Sequence, residues 1–250
     1  MSERVLSARS AVHWSRELAE AVLDLLVPAC CAGCEAPRTH LCPECRALLS
    51  GAGARRVSPE RPPPGLPEVH AATSYAGPVR QLILAHKERG ALPLAGPLGT
   101  ALAGAVRSAL PGAGAAGRPV LLVPVPSTRA SVRARGHDPM RRIGLAATRS
   151  LRRSGVPARL LPALRVGRPV ADQSGLRAEE RRRNLAGALV VPRRWEAALA
   201  EGHLVLVDDL LTTGATLAEA ARALGASGGD VLAAAVVAAT RLRSAGARRP

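Results

Sequence analysis

The sequence predicts an α/β protein with a doubly wound, mainly parallel sheet and a small N-terminal module. Three observations carry that reading. Short apolar runs at 120–125, 204–207 and 231–238 have the length and branching of buried strands. Segments of helical period at 77–88, 98–110, 140–154 and 216–224 alternate with them, which places helices on both faces of a parallel sheet. All five cysteines lie between positions 30 and 45, ahead of this pattern, so a separate small module precedes the sheet.

The elements follow in order. Residues 14–27 read as an amphipathic helix, with Ser15 as N-cap, Trp14, Leu18, Val22, Leu25 and Leu26 on one side, and Pro28 just past its end. The Cys-rich segment completes a module over 1–50. The Gly/Pro/Arg stretch at 51–68 has little periodicity and reads as a linker to a main domain over 69–250. There the helix at 77–88 comes first, then that at 98–110, then a Gly/Ala loop at 112–117. The strand at 120–125 ends in Pro126, and the helix at 140–154 leads into an Arg-rich stretch without a clear period. The chain closes with strand 204–207, helix 216–224 and strand 231–238.

Composition narrows the function. At 250 residues, 47% hydrophobic and 22% charged, the chain is of ordinary globular make-up. It has no Phe, one Tyr (Tyr75, read as core packing) and two Trp (Trp14 and Trp195), so its core is built from Leu, Val and Ala. So few aromatic rings argue against a binder that stacks single-stranded bases. The formal net charge is +16, and 17 Arg against 4 acids fall between Arg129 and Arg194, a concentration that attracts polyanions. Of the 35 basic residues only Lys87 is a lysine. An ammonium is a compact point charge whose pKa shifts on burial, which a guanidinium does not offer. No apolar run is long enough to span a bilayer and no targeting segment is visible, so a cytoplasmic protein without membrane insertion is expected.

The strongest motif is Leu-Val-Leu-Val-Asp-Asp-Leu-Leu-Thr-Thr-Gly-Ala-Thr at 204–216. An apolar strand delivers Asp208 and Asp209 at its C-terminal end, where open α/β sheets bind ligands. Leu210 and Leu211 then lead to Thr212, Thr213, Gly214, Ala215 and Thr216, a hydroxyl-rich loop opening directly into a helix. Backbone N–H groups and the dipole at that helix start form an anion site, and Gly214 lets the backbone approach a phosphate closely. The two carboxylates suit vicinal ribose hydroxyls or a magnesium-bound ligand. The order of acids and loop is neither that of a P-loop nor that of the dinucleotide-binding glycine fingerprint.

Cys31-x2-Cys34 and Cys42-x2-Cys45, seven residues apart, form two Cys-x-x-Cys knuckles. Each offers two thiolates, and together they suit one tetrahedral Zn²⁺ with no position left for substrate, hence a structural site. Zinc is expected ahead of an iron–sulfur cluster or a metal-free module. Cys30 is spare, and His40 is an alternative fourth ligand. His13, His70, His86 and His203 stand alone and read as surface or helix-end residues.

The segment at 204–216 resembles the phosphoribosyl-pyrophosphate (PRPP) motif of type I phosphoribosyltransferases, and nearly the whole chain resembles the ComF family, also described as GntX-like. That family is linked in some bacteria to DNA uptake in natural competence. The resemblance implies a type I phosphoribosyltransferase fold preceded by a zinc ribbon. It implies a ribose diol on Asp208 and Asp209, a 5′-phosphate wrapped by 212–216, and Mg²⁺ accompanying PRPP. Val-Pro-Val-Pro-Ser at 123–127 resembles the loop approaching pyrophosphate, which brings in Pro126 and Ser127, followed by Arg135 and Gly136. His137, Asp138 and Pro139 stand where Phe-Asn-Gln is commoner, and no role is carried over to them. Gln173, Arg181 and Asn184 resemble a mobile segment closing over ligand, and Lys87 falls where the first helix of the family carries a Lys. The implied activity is transfer of phosphoribosyl to an unidentified acceptor with release of pyrophosphate, Asp208, Asp209 and Lys87 being the catalytic set. The alternative is a non-catalytic module that senses PRPP or engages single-stranded DNA or competence proteins. A homodimer is compatible with either.

Overall fold

The computed structural model describes residues 30–110, 117–168 and 185–240, with the backbone of 243–244. The helix expected at 14–27, most of the 112–117 loop, and Gln173, Arg181 and Asn184 lie outside these residues.

The main sheet has seven strands in the order β4-β3-β7-β8-β2-β1-β9. They are β1 (Arg55–Ser58), β2 (Val69–Ser74), β3 (Val120–Pro124), β4 (Ala158–Leu160), β7 (His203–Leu211), β8 (Val231–Ala239) and β9 (Arg243–Ser244). β4, β3, β7, β8 and β2 run parallel, and β1 and β9 are added antiparallel at one edge. A separate antiparallel pair joins β5 (Arg165–Val166) to β6 (Leu189–Val190). The helices are α1 (Pro43–Ala47), α2 (Gly77–Glu88), α3 (Ala95–Ala109), α4 (Arg129–Arg135), α5 (Pro139–Arg153), α6 (Glu196–Leu199) and α7 (Ala215–Gly225).

Alternation along the strands builds two apolar layers. Val120 and Leu122 of β3, Val205 and Val207 of β7, and Ala235 and Val237 of β8 join one core. It is covered by Leu82 of α2, Leu98 and Leu102 of α3, and Ile143 and Leu151 of α5. Leu121 and Val123, Leu204 and Leu206, and Ala234 and Val236 point the other way and meet Leu217, Ala220 and Leu224 of α7. Both faces of the parallel strands are thus buried, as their continuous apolar runs require.

The strands and helices predicted within the described residues are present, within a few residues at each end. Three differences concern the rest. β1 lies inside the stretch read as a linker, because Arg55, Arg56 and Val57 pair with Ala71, His70 and Val69 despite the surrounding Gly and Pro. β2 itself, Val-His-Ala-Ala-Thr-Ser, carries too little branching to announce a strand and is one through parallel pairing with β8. The Arg-rich stretch supplies β4, β5 and β6, two or three residues each, which is too short for any period.

The topology fixes where a ligand enters. From β3 the chain crosses by α5, on one face, to β4 on one side; from β7 it crosses by α7, on the opposite face, to β8 on the other. Adjacent strands whose connections diverge in this way leave a crevice beyond their C-terminal ends.

Candidate functional site

β3 pairs with β7 as far as Pro124 opposite Val207, after which the Val125 N–H donates to the Val207 carbonyl. β7 runs on to Leu211, held on its other side by β8, with Asp208 opposite Val236 and Leu210 opposite Ala238. The two acids therefore sit on the strand toward its C-terminal end, as the sequence suggests, along a stretch that β3 no longer covers. They open into a cavity of about 730 Å³, lined also by Lys87, Pro126, Ser127, Thr128, Arg135, Leu210, Thr212 and Thr216. Val166, Leu185 and Leu189, from around the small β5–β6 sheet, line it as well.

Lys87, in the last turn of α2, donates from Nζ to Asp209 Oδ2 at 2.8 Å. Asp209 is buried, and Lys87 is about one-third exposed. Burial opposes the Lys87 charge, but Asp209 and then Asp208 outweigh it and hold its pKa above the usual lysine value. Asp208 is pushed up to about 8, first by burial and then by the neighbouring Asp209 carboxylate, with Lys87 pulling the other way. Its Oδ1 accepts the Asp209 backbone N–H at 2.9 Å. Perturbed, mutually interacting titratable groups in a cleft mark a functional site more often than a structural one.

Gly214 caps α7 in the left-handed region at φ 79°, and a Cβ there would lie 2.9 Å from Leu66 Cδ2. Both facts favour glycine, and the turn it makes directs the first N–H groups of α7 toward the loop. The Thr213 hydroxyl accepts from the Ala215 N–H at 3.4 Å, so it braces the loop internally. Leu211 faces the core and contributes no group to the cavity. Ser127 and Thr128 follow β3, and the Thr128 hydroxyl caps α4 by accepting from the Ser131 N–H at 3.1 Å. Arg135 ends α4 and Gly136 closes it at φ 73°, outside the cavity lining.

Several contacts were not legible in the sequence. Arg135 makes a two-pronged ion pair with Glu88, at 2.8 and 2.9 Å, so its charge is already balanced. His137 places Nδ1 3.1 Å from the Arg135 carbonyl and Nε2 3.0 Å from the His86 carbonyl, tying the end of α4 to the end of α2 beside Lys87. Asp138 caps α5, accepting the Arg141 N–H, with Pro139 as its first residue. These roles give His137, Asp138 and Pro139 structural parts, and Pro139 also lines the cavity. His70 is buried, contrary to the surface reading, while His86 is a helix-end residue as expected, buried in the last turn of α2. His70 bridges Ser108 and Glu68, and His86 is held by the Ala91 carbonyl.

Behind the cavity, Glu219 of α7 is buried and accepts the Leu189 backbone N–H at 3.0 Å, while Arg222 pairs with Glu219 and donates to the Leu189 carbonyl. Burial opposes the Glu219 charge, and Arg222 with backbone N–H groups more than compensates, lowering its pKa. This clamp fixes a lining strand to the helix that begins at the hydroxyl loop.

The sulfurs of Cys31, Cys34, Cys42 and Cys45 lie within 4.8 Å of one another, a group that can hold a metal ion. Tetrahedral thiolate coordination at roughly 2.3 Å places sulfurs roughly 3.8 Å apart, so the cluster needs only slight contraction. Burial opposes ionisation of Cys31, but N–H groups of Cys42, Cys34 and Gly33 bring its pKa down to about 6, whereas burial and the neighbouring thiols push Cys45 up. His40 is exposed and not part of the group. Cys31, Cys42, Cys45 and Leu49 share a core with Leu82 of α2, so the module rests on the helix that carries Lys87.

The fold and site define an α/β protein with a doubly wound, mostly parallel sheet, an acidic and hydroxyl-lined cavity at its switch point, and a four-cysteine module. No model of a known protein family matches the chain, and no curated protein is found to be similar to it. Among the described residues, no helix is long and apolar enough to cross a membrane.

Proposed function

We propose that the chain is a type I phosphoribosyltransferase-like protein that binds PRPP with Mg²⁺ at the switch-point cavity and transfers phosphoribosyl to an acceptor, releasing pyrophosphate. The observation that carries this reading is the convergence of Asp208, Asp209, Thr212, Thr216 and Lys87 on one cavity beyond the strand ends. The loop at 212–216, with the N–H groups of α7, receives the 5′-phosphate. Asp208 and Asp209 receive the ribose diol, and Mg²⁺ supplies charge neutralisation on the diphosphate.

The reaction breaks the bond from C1′ to the pyrophosphate oxygen and forms one from C1′ to the acceptor, with negative charge growing on the departing group. Catalysis then consists of fixed cationic stabilisation of that charge. Lys87 is the cation for this role, and exchanging Asp209 for a diphosphate oxygen would free its ammonium for it. Arg135, paired with Glu88, adds less. A Zn²⁺ on the four cysteines has a structural part, since the protein fills all four positions.

Calorimetric titration of PRPP with Mg²⁺ into the wild type and into Asp208→Asn/Asp209→Asn tests the site. Binding by the wild type alone supports it, and binding by neither rejects it. Pyrophosphate release across a panel of amines and nucleobases then separates an enzyme from a sensor that binds PRPP without transfer. The sensor reading, with single-stranded DNA or a competence protein as partner, draws on the exposed arginines at 129, 133, 165 and 168.

A further inference from the structure

A second cleft, of about 1030 Å³, adjoins the Asp208–Asp209 cavity, and Pro126, Ser127, Thr128 and Val166 form part of the wall of both. Its charge is one-sided. Arg129 and Arg133 stand one turn apart on α4, and Arg165 and Arg168 come from β5 and the residues after it. The one carboxylate in the lining among the described residues, Asp138, is occupied in capping α5. Arg135, facing the first cavity, is neutralised by Glu88, whereas Arg129, Arg133 and Arg165 have no ion-pair partner among the described residues. Gathering guanidiniums around one concavity raises the energy of the empty protein, and a bound anion relieves it. Planar guanidinium forks match carboxylate and phosphate oxygens in pairs. The rest of the lining is Ser127, Thr128 and apolar side chains including Val132 and Leu164. Among the described residues it contains no aromatic ring and no side-chain amide, the groups that stack on a nucleobase and read its edge.

We propose that the acceptor is a small molecule with two or more negative groups and a nucleophilic nitrogen, seated in this cleft so that the nitrogen reaches across the shared wall to C1′. The proposal rests on the phosphoribosyl-transfer reading and adds the substrate class. The nitrogen lone pair forms the bond to C1′, the C1′–O bond breaks with its electron pair leaving on pyrophosphate, and the nitrogen gives up a proton to water. Carboxylate and phosphate groups serve the same arginines.

The test is calorimetry on the full chain with L-aspartate, O-phosphoserine, adenine and an oligothymidylate as separate probes, with PRPP and Mg²⁺ titrated in parallel. Arg129→Gln/Arg165→Gln is compared with the wild type; both positions are exposed, and undiminished PRPP affinity in the variant shows that its fold is intact. The expected result is binding of aspartate or phosphoserine that weakens at least tenfold in the variant, with PRPP affinity within twofold and adenine silent. Preference for phosphoserine assigns a phosphate to the acceptor, and equal binding assigns carboxylates. Anion binding that is absent or unchanged in the variant overturns the proposal and leaves the PRPP site standing. Oligothymidylate binding that needs the same arginines, with the small anions silent, also overturns it, in favour of a nucleic-acid backbone. Failure of PRPP to bind the wild type removes the parent reading and the acceptor role with it, even where the cleft still takes anions.

Discussion

Lys87 Nζ and Asp209 Oδ2 meet at 2.8 Å across a separation of 122 residues, joining the end of α2 to the strand that carries the acidic pair. Asp209 is the more deeply buried partner, so removing the ammonium leaves an unpaired carboxylate in the protein interior. Lys87→Met is expected to destabilise the fold by about 1–3 kcal/mol, discounted because the lysine is partly exposed. The double variant Lys87→Met/Asp209→Asn should recover most of that loss. Chemical denaturation of the four species of this cycle measures the coupling; additive single effects would show the pair to be energetically idle.

Asp208 gives a prediction with a sign. Its pKa in the folded protein is raised to about 8 by burial and by Asp209, against an ordinary value of 3.8. A raised carboxyl pKa contributes stability that is fully present below the unfolded value and is lost as pH climbs through the folded one. The wild type should therefore lose stability relative to Asp208→Asn between about pH 4 and pH 8, with the difference constant above that. Asn keeps the acceptor oxygen for the Asp209 N–H, so the variant tests charge alone. In the same window PRPP binding by the wild type should strengthen with rising pH, because diol recognition needs the ionised carboxylate. Thermal melts and titrations at pH 5, 7 and 9 read both, and a pH-independent difference in melting temperature contradicts the assignment.

The cysteine module should hold one zinc per chain, measurable by atomic emission. Cys42→Ser takes a ligand from a buried cluster that shares its core with Leu82. The expected cost is at least about 2 kcal/mol, a fall in Tm of about 4 °C or more. Since the module supports α2, PRPP affinity should weaken on chelation even though no cysteine lines the cavity. Chelation that leaves both Tm and affinity unchanged would separate the module from the site.

Legibility in the sequence followed the range of the interactions. The strand at 204–207, the hydroxyl loop and the helix after it are local, so their order alone predicts a phosphate site. The two Cys-x-x-Cys knuckles are local in the same sense. Lys87 stood out as the single lysine and by the family resemblance, and its partner Asp209 is fixed by the topology that brings α2 to the end of β7. Glu88 and His137 gave no signal, because their roles are to balance Arg135 and to tie two helix ends that only the folded chain brings together. β1 and β2 were hidden because their pairing, not their composition, makes them strands.

Glu219 does not itself line the cavity, yet it sets where Leu189 sits by accepting its backbone N–H while Arg222 donates to the Leu189 carbonyl. Leu189 lines the cavity, so the clamp ties the position of that wall to the helix that begins at the hydroxyl loop. Glu219→Gln keeps the size and one acceptor oxygen but removes the charge that holds Arg222. The expected loss is about 1–2 kcal/mol of stability, with the charge-assisted bonds to Arg222 weakened to neutral ones. Arg222→Ala should cost at least as much, since it leaves the buried Glu219 carboxylate with backbone N–H partners only and frees the Leu189 carbonyl. A positioning role further requires that PRPP affinity fall in Glu219→Gln by more than in a surface variant of equal stability loss. Affinity that tracks stability alone would reduce Glu219 to a structural group.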